Sequence, residues 1–228
     1  GKFEEAYASS REALTYFRQL GDWRLTVVTL NTLGYCALQL SRFGEAREFL
    51  QESLSLAHPS EDPWSVGTAY GNLGLVDLAE GNGLEAQKGL QNSIARFSDL
   101  AMLGDVAFYL TYLGDAYALQ GDLGSARHHW WDAIRRAQEI ESLPNILANL
   151  IRLAQMESAD LNTAYQTALF VLDHPASWQE SKNRAATLTE HLEAQLPADQ
   201  RKAARSRAHR MSVDALVEAL KNPQGPLR

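Results

Sequence analysis

The sequence predicts an all-α fold, a solenoid of stacked helix pairs closed by C-terminal capping helices. Three observations carry this. Alanine recurs at residues 6, 46, 86 and 126, forty residues apart, behind Glu5, Glu45, Glu85 and Ser125. The small or turn-forming residues Gly1, Ser41, Gly81 and Gly121 keep the same offset, as do Leu33-Gly34, Leu73-Gly74 and Leu113-Gly114. Between these marks, apolar residues fall at three- and four-residue spacing, the period of a helix with one buried face. Such a helix cannot bury its apolar face alone, whereas a stack of pairs buries it continuously.

The opening "GKFEEAYASSREALTYFRQLGD" reads as the second helix of a pair whose first helix the sequence does not contain. The expectation is a longer polypeptide that supplies the missing helix, the alternative being a neighbouring molecule that covers the apolar end. In the first complete pair Val27, Leu30, Leu33, Ala37 and Leu40 mark one helix and "SRFGEAREFLQESLSLA" the other. The link "AHPSEDPWSVG" carries two prolines and must break helix. The second pair follows with Ala69, Leu73 and Leu78, then "GNGLEAQKGLQNSIARF"; the third with Val106, Tyr109, Leu113 and Ala116, then "GDLGSARHHWWDAIRRA". Links between pairs are expected to be longer than the turns within them, with interruptions near Ser98 and at Leu143-Pro144.

After residue 140 the pattern weakens into a degenerate last pair, "ILANLIRLAQMESADLNTAYQTALFVLDHP". A terminal helix is expected after Pro175, with Ser177 as N-cap and Glu180 completing a capping box. A basic helix and a short helix over Val213 to Leu220, capped by Ser212, follow, and the last residues are expected to fray. Repeats thus occupy 1–172 and capping helices 173–228 of one domain.

Composition narrows function by exclusion. No apolar run is long enough to span a membrane and no basic-then-apolar leader opens the chain, so a cytoplasmic protein without membrane contact is expected. The single Cys36 has no disulfide partner and no zinc spacing. A net charge of −7 argues against a dedicated nucleic-acid binder. The run Arg201, Lys202, Arg205, Arg207 and Arg210 could touch phosphate, but its ordinary reading is a solvated face paired with Glu190 and Glu193.

The tempting site is His128-His129-Trp130-Trp131. Adjacent helical residues point about 100° apart, so the two histidines do not converge on one metal, and Trp130 stands in register with Leu50 and Leu90 as packing. "GNLG" and "GNG" lack the following lysine of a phosphate loop. Glu61-Asp62 and Glu139 with Glu141 lie in solvated links, unsuited to acid–base work. No catalytic residue, metal or cofactor is therefore expected.

The Leu-Gly pairs, the small turn residue, the recurring alanine, and Leu50, Leu90 and Trp130 beyond it resemble tetratricopeptide repeats over about residues 1–170, most strongly through 140. That family's usual period is about 34 residues, and this chain resembles a lengthened variety. The resemblance implies a right-handed α-α superhelix whose first helices line a concave surface that binds proteins or peptides. Carried over by register, the inward positions are Val28, Asn31, Tyr35 and Gln39, then Thr68, Gly71, Leu75 and Ala79, then Phe108, Thr111, Asp115 and Leu119. They contain no lysine or arginine, and only Asn31 matches the carboxylate clamp of some relatives in type. An amphipathic helix laid on Tyr35, Leu75 and Phe108 is the ligand expected instead, against the simpler reading that these side chains pack between repeats. The tail "DHPASWQESKNRAATLTEHLEAQLP" with "ARSRAHRMSVDALVEAL" is similar to the segment after such repeats in large bacterial signal-transduction ATPases and transcription regulators. This implies a regulatory interaction module. The alternatives are a scaffold for homo-oligomers or for packing on an upstream domain, and an accessory nucleic-acid contact through the basic helix.

Overall fold

A computed structural model describes residues 2–59, 61–156, 160–208 and 210–221. Among these residues there are twelve helices and no strand: α1 (Lys2–Leu20), α2 (Trp23–Gln39), α3 (Phe43–Leu56), α4 (Pro63–Ala79), α5 (Gly83–Asp99), α6 (Leu103–Leu119), α7 (Leu123–Glu139), α8 (Leu143–Ala154), α9 (Leu161–Asp173), α10 (Gln179–Glu193), α11 (Ala198–Ala208) and α12 (Val213–Lys221). The expected fraying of the last residues lies outside the described residues.

The turns correct one expectation. Those joining pairs are not longer than those within pairs, except at 57–62. At residues 21, 41, 81, 101, 121 and 141 the backbone enters the left-handed region, with φ from 53° to 82°. Each time the same two bonds close the helix. Arg42 N–H donates to the Ala37 carbonyl at 2.8 Å and Ser41 N–H to that of Leu38 at 2.9 Å, and Met102 with Ala101 repeats this on Phe97 and Ser98. This is the Schellman closure, which satisfies the last carbonyls of a helix and reverses the chain in three residues. Helix ends therefore recur every twenty residues, inside pairs and between them alike. In 57–62 Pro59 has no N–H to give to the same closure, and Pro63 opens α4 behind Asp62, whose side chain accepts from Ser65 N–H at 3.0 Å.

The chain divides into two compact units, Gly1–His129 and Trp130–Arg228. The 172/173 boundary read from the sequence marks a change of pattern, while compactness divides the chain inside α7.

In the first unit α1 packs on α2, and α2, α4 and α6 stand side by side with their partners behind them. Tyr7, Leu14, Leu30, Leu33, Cys36, Ala37, Ala46, Leu50 and Val76 form one cluster. Backbone closeness is greatest between α4 and α5, where a Cβ on Gly74 would lie 3.0 Å from Leu90 N and 3.1 Å from Ala86 O. Polar links tie successive pairs. Asn31 donates to Ser65 O at 2.9 Å and accepts from Ser53 at 2.9 Å, and Arg47 pairs with Asp77 at 2.8 Å and Glu80 at 2.5 Å.

In the second unit α8 is buried from Asn145 to Ala154, against α9, α10 and α12. Its Arg152, 2% exposed, donates to Ala148 O at 2.8 Å and pairs with Glu180 of α10 at 2.6 Å. That pairing explains a second correction. Glu180 completes no capping box, because it is drawn to Arg152 and Arg184, while the Ser177 hydroxyl donates back to Val171 O at 2.7 Å. Helix α10 begins behind Trp178 without a side-chain cap. Ser212 does cap α12, accepting from Ala215 N–H at 3.2 Å, and Leu216, Val217 and Leu220 are buried.

Candidate interaction face

The face in question belongs to the first unit and is built by α2, α4 and α6. A residue every three or four positions keeps to one side of a helix. On α2 that side is Leu25, Val28, Thr32, Tyr35 and Gln39, all exposed except the half-buried Tyr35. On α6 it is Asp105, Phe108, Tyr112, Asp115 and Leu119, half-buried down to Asp115 and exposed at Leu119. The middle helix is recessed. Its register equivalents Ser65, Asn72 and Leu75 are buried and Thr68 is half-buried, with Trp64 and Ala79 exposed at the two ends.

Three predicted site residues are buried. Asn31 is buried and bonded to Ser53 and Ser65, Leu75 is buried, and Thr111 is fully buried with its hydroxyl on Ala107 O at 3.0 Å. Neighbouring side chains and backbone cover them. Val28, Gln39, Thr68, Tyr35, Phe108 and Asp115 are at least partly accessible. Tyr35 meets Phe3 edge to face at 6.2 Å, and Phe108 meets Tyr109 and Tyr112, each at 5.0 Å. Leu25, Thr32, Trp64, Asp105 and Tyr112, which the register did not select, are also exposed or half-buried on these helices. At the second rung it selected 31 and 111 where the structure turns 32 and 112 outward.

Electrostatics on the three helices are one-sided. Their charged residues are Arg24, Asp77, Asp105 and Asp115. Arg24 pairs with Glu61 at 3.2 Å, and Asp77 with Arg47. Burial raises the Asp105 carboxyl above its ordinary range, partly opposed by a backbone hydrogen bond. Burial likewise raises the neighbouring Tyr109 phenol and the Cys36 thiol, leaving Cys36 a packing residue and a poor nucleophile.

The histidine pair lies elsewhere. His129 stacks on Tyr117 at 5.0 Å and 19°, His128 is exposed, and Trp130 is buried at the position its register assigned. Among the described residues no group of three histidine, cysteine, aspartate or glutamate side chains is placed to hold a metal ion. No described helix is long and apolar enough to cross a membrane. On the basic helix, Arg205 pairs with Glu193, which also accepts from the Tyr165 hydroxyl at 2.8 Å.

The family model for the tetratricopeptide repeat matches residues 1–57, which hold α1, α2 and α3. Among solved structures, the crystal structure of BtubC (BKLC) from P. vanneervenii aligns with a TM-score of 0.54 and 19% identity, covering 99% of this chain and 77% of that one. This likeness shows a shared helical repeat fold. No curated protein matches the sequence.

Proposed function

We propose that this chain is a noncatalytic interaction module, and that the α2–α4–α6 face receives an amphipathic helix from a protein partner. One observation supports this reading above the others. The exposed side of α2, with Leu25 and Val28, and the half-buried side of α6, with Phe108 and Tyr112, flank a more buried middle helix in the same unit. A helix lying in such a recess buries its apolar side on aromatic and aliphatic groups while its polar side stays in water. The partial match to the tetratricopeptide repeat supports protein binding as the general class. The setting we propose is a larger bacterial signalling or transcription-regulatory protein, in which the module couples partner binding to an upstream domain.

Selection from a displayed library of helical peptides tests the reading, with a Tyr35→Ala, Phe108→Ala double variant as the counter-target. Recovered peptides should bind the parent chain and lose at least about tenfold in affinity for the folded variant, the scale expected when anchoring aromatics are truncated. Peptides that bind both equally would place the interaction elsewhere and overturn the assignment.

A further inference from the structure

We infer that α1 is a self-association element, whose stripe Phe3, Ala6, Ser10, Ala13, Phe17 and Leu20 packs antiparallel on the same stripe of a second copy about a two-fold axis. The inference concerns a different helix surface from the α2–α4–α6 face and does not depend on the function proposed for it.

The repeat shows what kind of element this stripe is shaped to meet. Tyr7 and Leu14, the two buried side chains of α1, pack on α2 and join its core cluster. Beside them the stripe is open, with Ala6, Ser10, Ala13 and Phe17 half-buried, and Phe3 and Leu20 exposed at 42% and 76%. One repeat further on, the matching Ala46, Leu50 and Ser53 of α3 are fully buried, and two repeats on, so are Ala86, Leu90, Ser93 and Phe97 of α5. An antiparallel helix buries them. A Cβ on Gly67, Gly71 and Gly74 of α4 would meet Phe97, Ser93 and Leu90 in turn, so numbers rise along one helix as they fall along the other. Among the described residues no helix covers the stripe of α1 in this way.

In the antiparallel orientation the stripe is complementary to itself. Its positions alternate by three and four residues, the a/d period of a two-helix seam. Antiparallel pairing sets each a position against a d position. Phe3 then meets Leu20 of the second copy, Ala6 meets Phe17 and Ser10 meets Ala13, and the two-fold repeats every layer in reverse. Large side chains close the ends, each Phe17 lies over an alanine, and small residues fill the centre, where the helix axes can approach to ~8 Å. Parallel pairing would instead stack Phe3 on Phe3 and Phe17 on Phe17, holding Ala6, Ser10 and Ala13 apart. Charge permits the contact as well. Gly1–His129 contains sixteen acidic and nine basic residues, yet the stripe carries none of them, so like-charge repulsion between copies is weak there. A seam of 19 residues, roughly 28 Å long, is a small interface, and the dimer should therefore form reversibly and with concentration.

Sedimentation equilibrium of the full chain tests this. The mass should rise with concentration from 25.3 kDa toward twice that value. Ser10→Glu and Ala13→Lys, each adding charge to the central layers, should each weaken dimerisation at least about tenfold. Their far-ultraviolet circular dichroism should stay that of the parent. An equimolar mixture of the two variants should recover dimer, because the antiparallel register sets position 10 of one copy against position 13 of the other, and high salt should reduce the recovery. A parent chain that stays monomeric into the millimolar range overturns the inference, as does a dimer that both variants leave intact. A dimer that both folded variants abolish and their mixture does not restore overturns the antiparallel pairing, and the inference with it.

Discussion

Gly74 and Gly44 both lie in helices, yet alanine should act on them with opposite sign. Alanine is favoured over glycine in a helix interior by about 1 kcal/mol, because glycine loses more backbone freedom on folding. At Gly44, on α3, an added Cβ would meet nothing within 4 Å, so the substitution should stabilise by a few tenths to ~1 kcal/mol. At Gly74 the same Cβ would come within 2.8 Å of Leu90 Cγ, 3.0 Å of Leu90 N and 3.1 Å of Ala86 O. The Leu90 side chain has rotamers available, but the two backbone atoms move only if α5 moves, and Leu90 is fully buried. Overpacking of this kind costs typically ~1–3 kcal/mol, which outweighs the propensity gain and leaves about 1 kcal/mol of net destabilisation. For a chain of this size that corresponds to a fall of roughly 2–4 °C in Tm. Urea unfolding followed by far-ultraviolet circular dichroism would give the ordering Gly44→Ala above parent above Gly74→Ala. A Gly74→Ala protein as stable as the parent would refute the close α4–α5 approach and the reading of the Leu-Gly marks as contact points.

Three further outcomes follow from particular residues. Ala101→Gly should raise stability by about 1 kcal/mol, because Ala101 holds the Schellman turn at φ 54° without the freedom glycine has there, and Gly81→Ala, at φ 82°, should lower it; thermal unfolding reads both. Asp105→Asn should raise Tm at neutral pH: the folded state holds the Asp105 proton more tightly than the unfolded chain, so the parent loses stability as pH rises through the raised folded pKa, and the amide does not. Melting across acid to neutral pH should show the difference growing with pH, and a constant difference would refute a solvation origin. In the second unit Glu180→Ala should destabilise by ~1–3 kcal/mol in chemical denaturation, since it removes a carboxylate that accepts a hydrogen bond from the buried Arg152 guanidinium.

The helix pairs were legible because alanine and leucine-glycine marks keep a forty-residue register, and Leu50, Leu90 and Trp130 are all buried where that register puts them. The twenty-residue recurrence of the turns was harder to see. Its left-handed position holds glycine at 21, 81 and 121 but Ser41, Ala101 and Glu141 elsewhere, so residue identity conceals a shared backbone closure. The accessible side of α2 and α6 was read one residue off at a single position, 31 and 111 in place of 32 and 112. The spacings 28, 31, 35 and 28, 32, 35 both satisfy helical periodicity, and periodicity alone does not choose between them. A signal was present in Gly71, the register partner of Asn31 and Thr111, since a glycine at that position marks tight packing better than it marks a ligand contact. Ser177 failed as a cap for a different reason: Glu180 is claimed by an arginine 28 residues away in sequence, a contact that local pattern does not encode.

Chemical-shift mapping of the labelled chain with a helical peptide recovered from the displayed library tests the central claim most directly. The account predicts that backbone amides of Val28, Thr32, Phe108, Tyr112 and Asp115 shift together along one titration curve, while those of α10 and α12 stay in place. Shifts confined to α10 through α12, with the α2 and α6 amides unmoved, would contradict it.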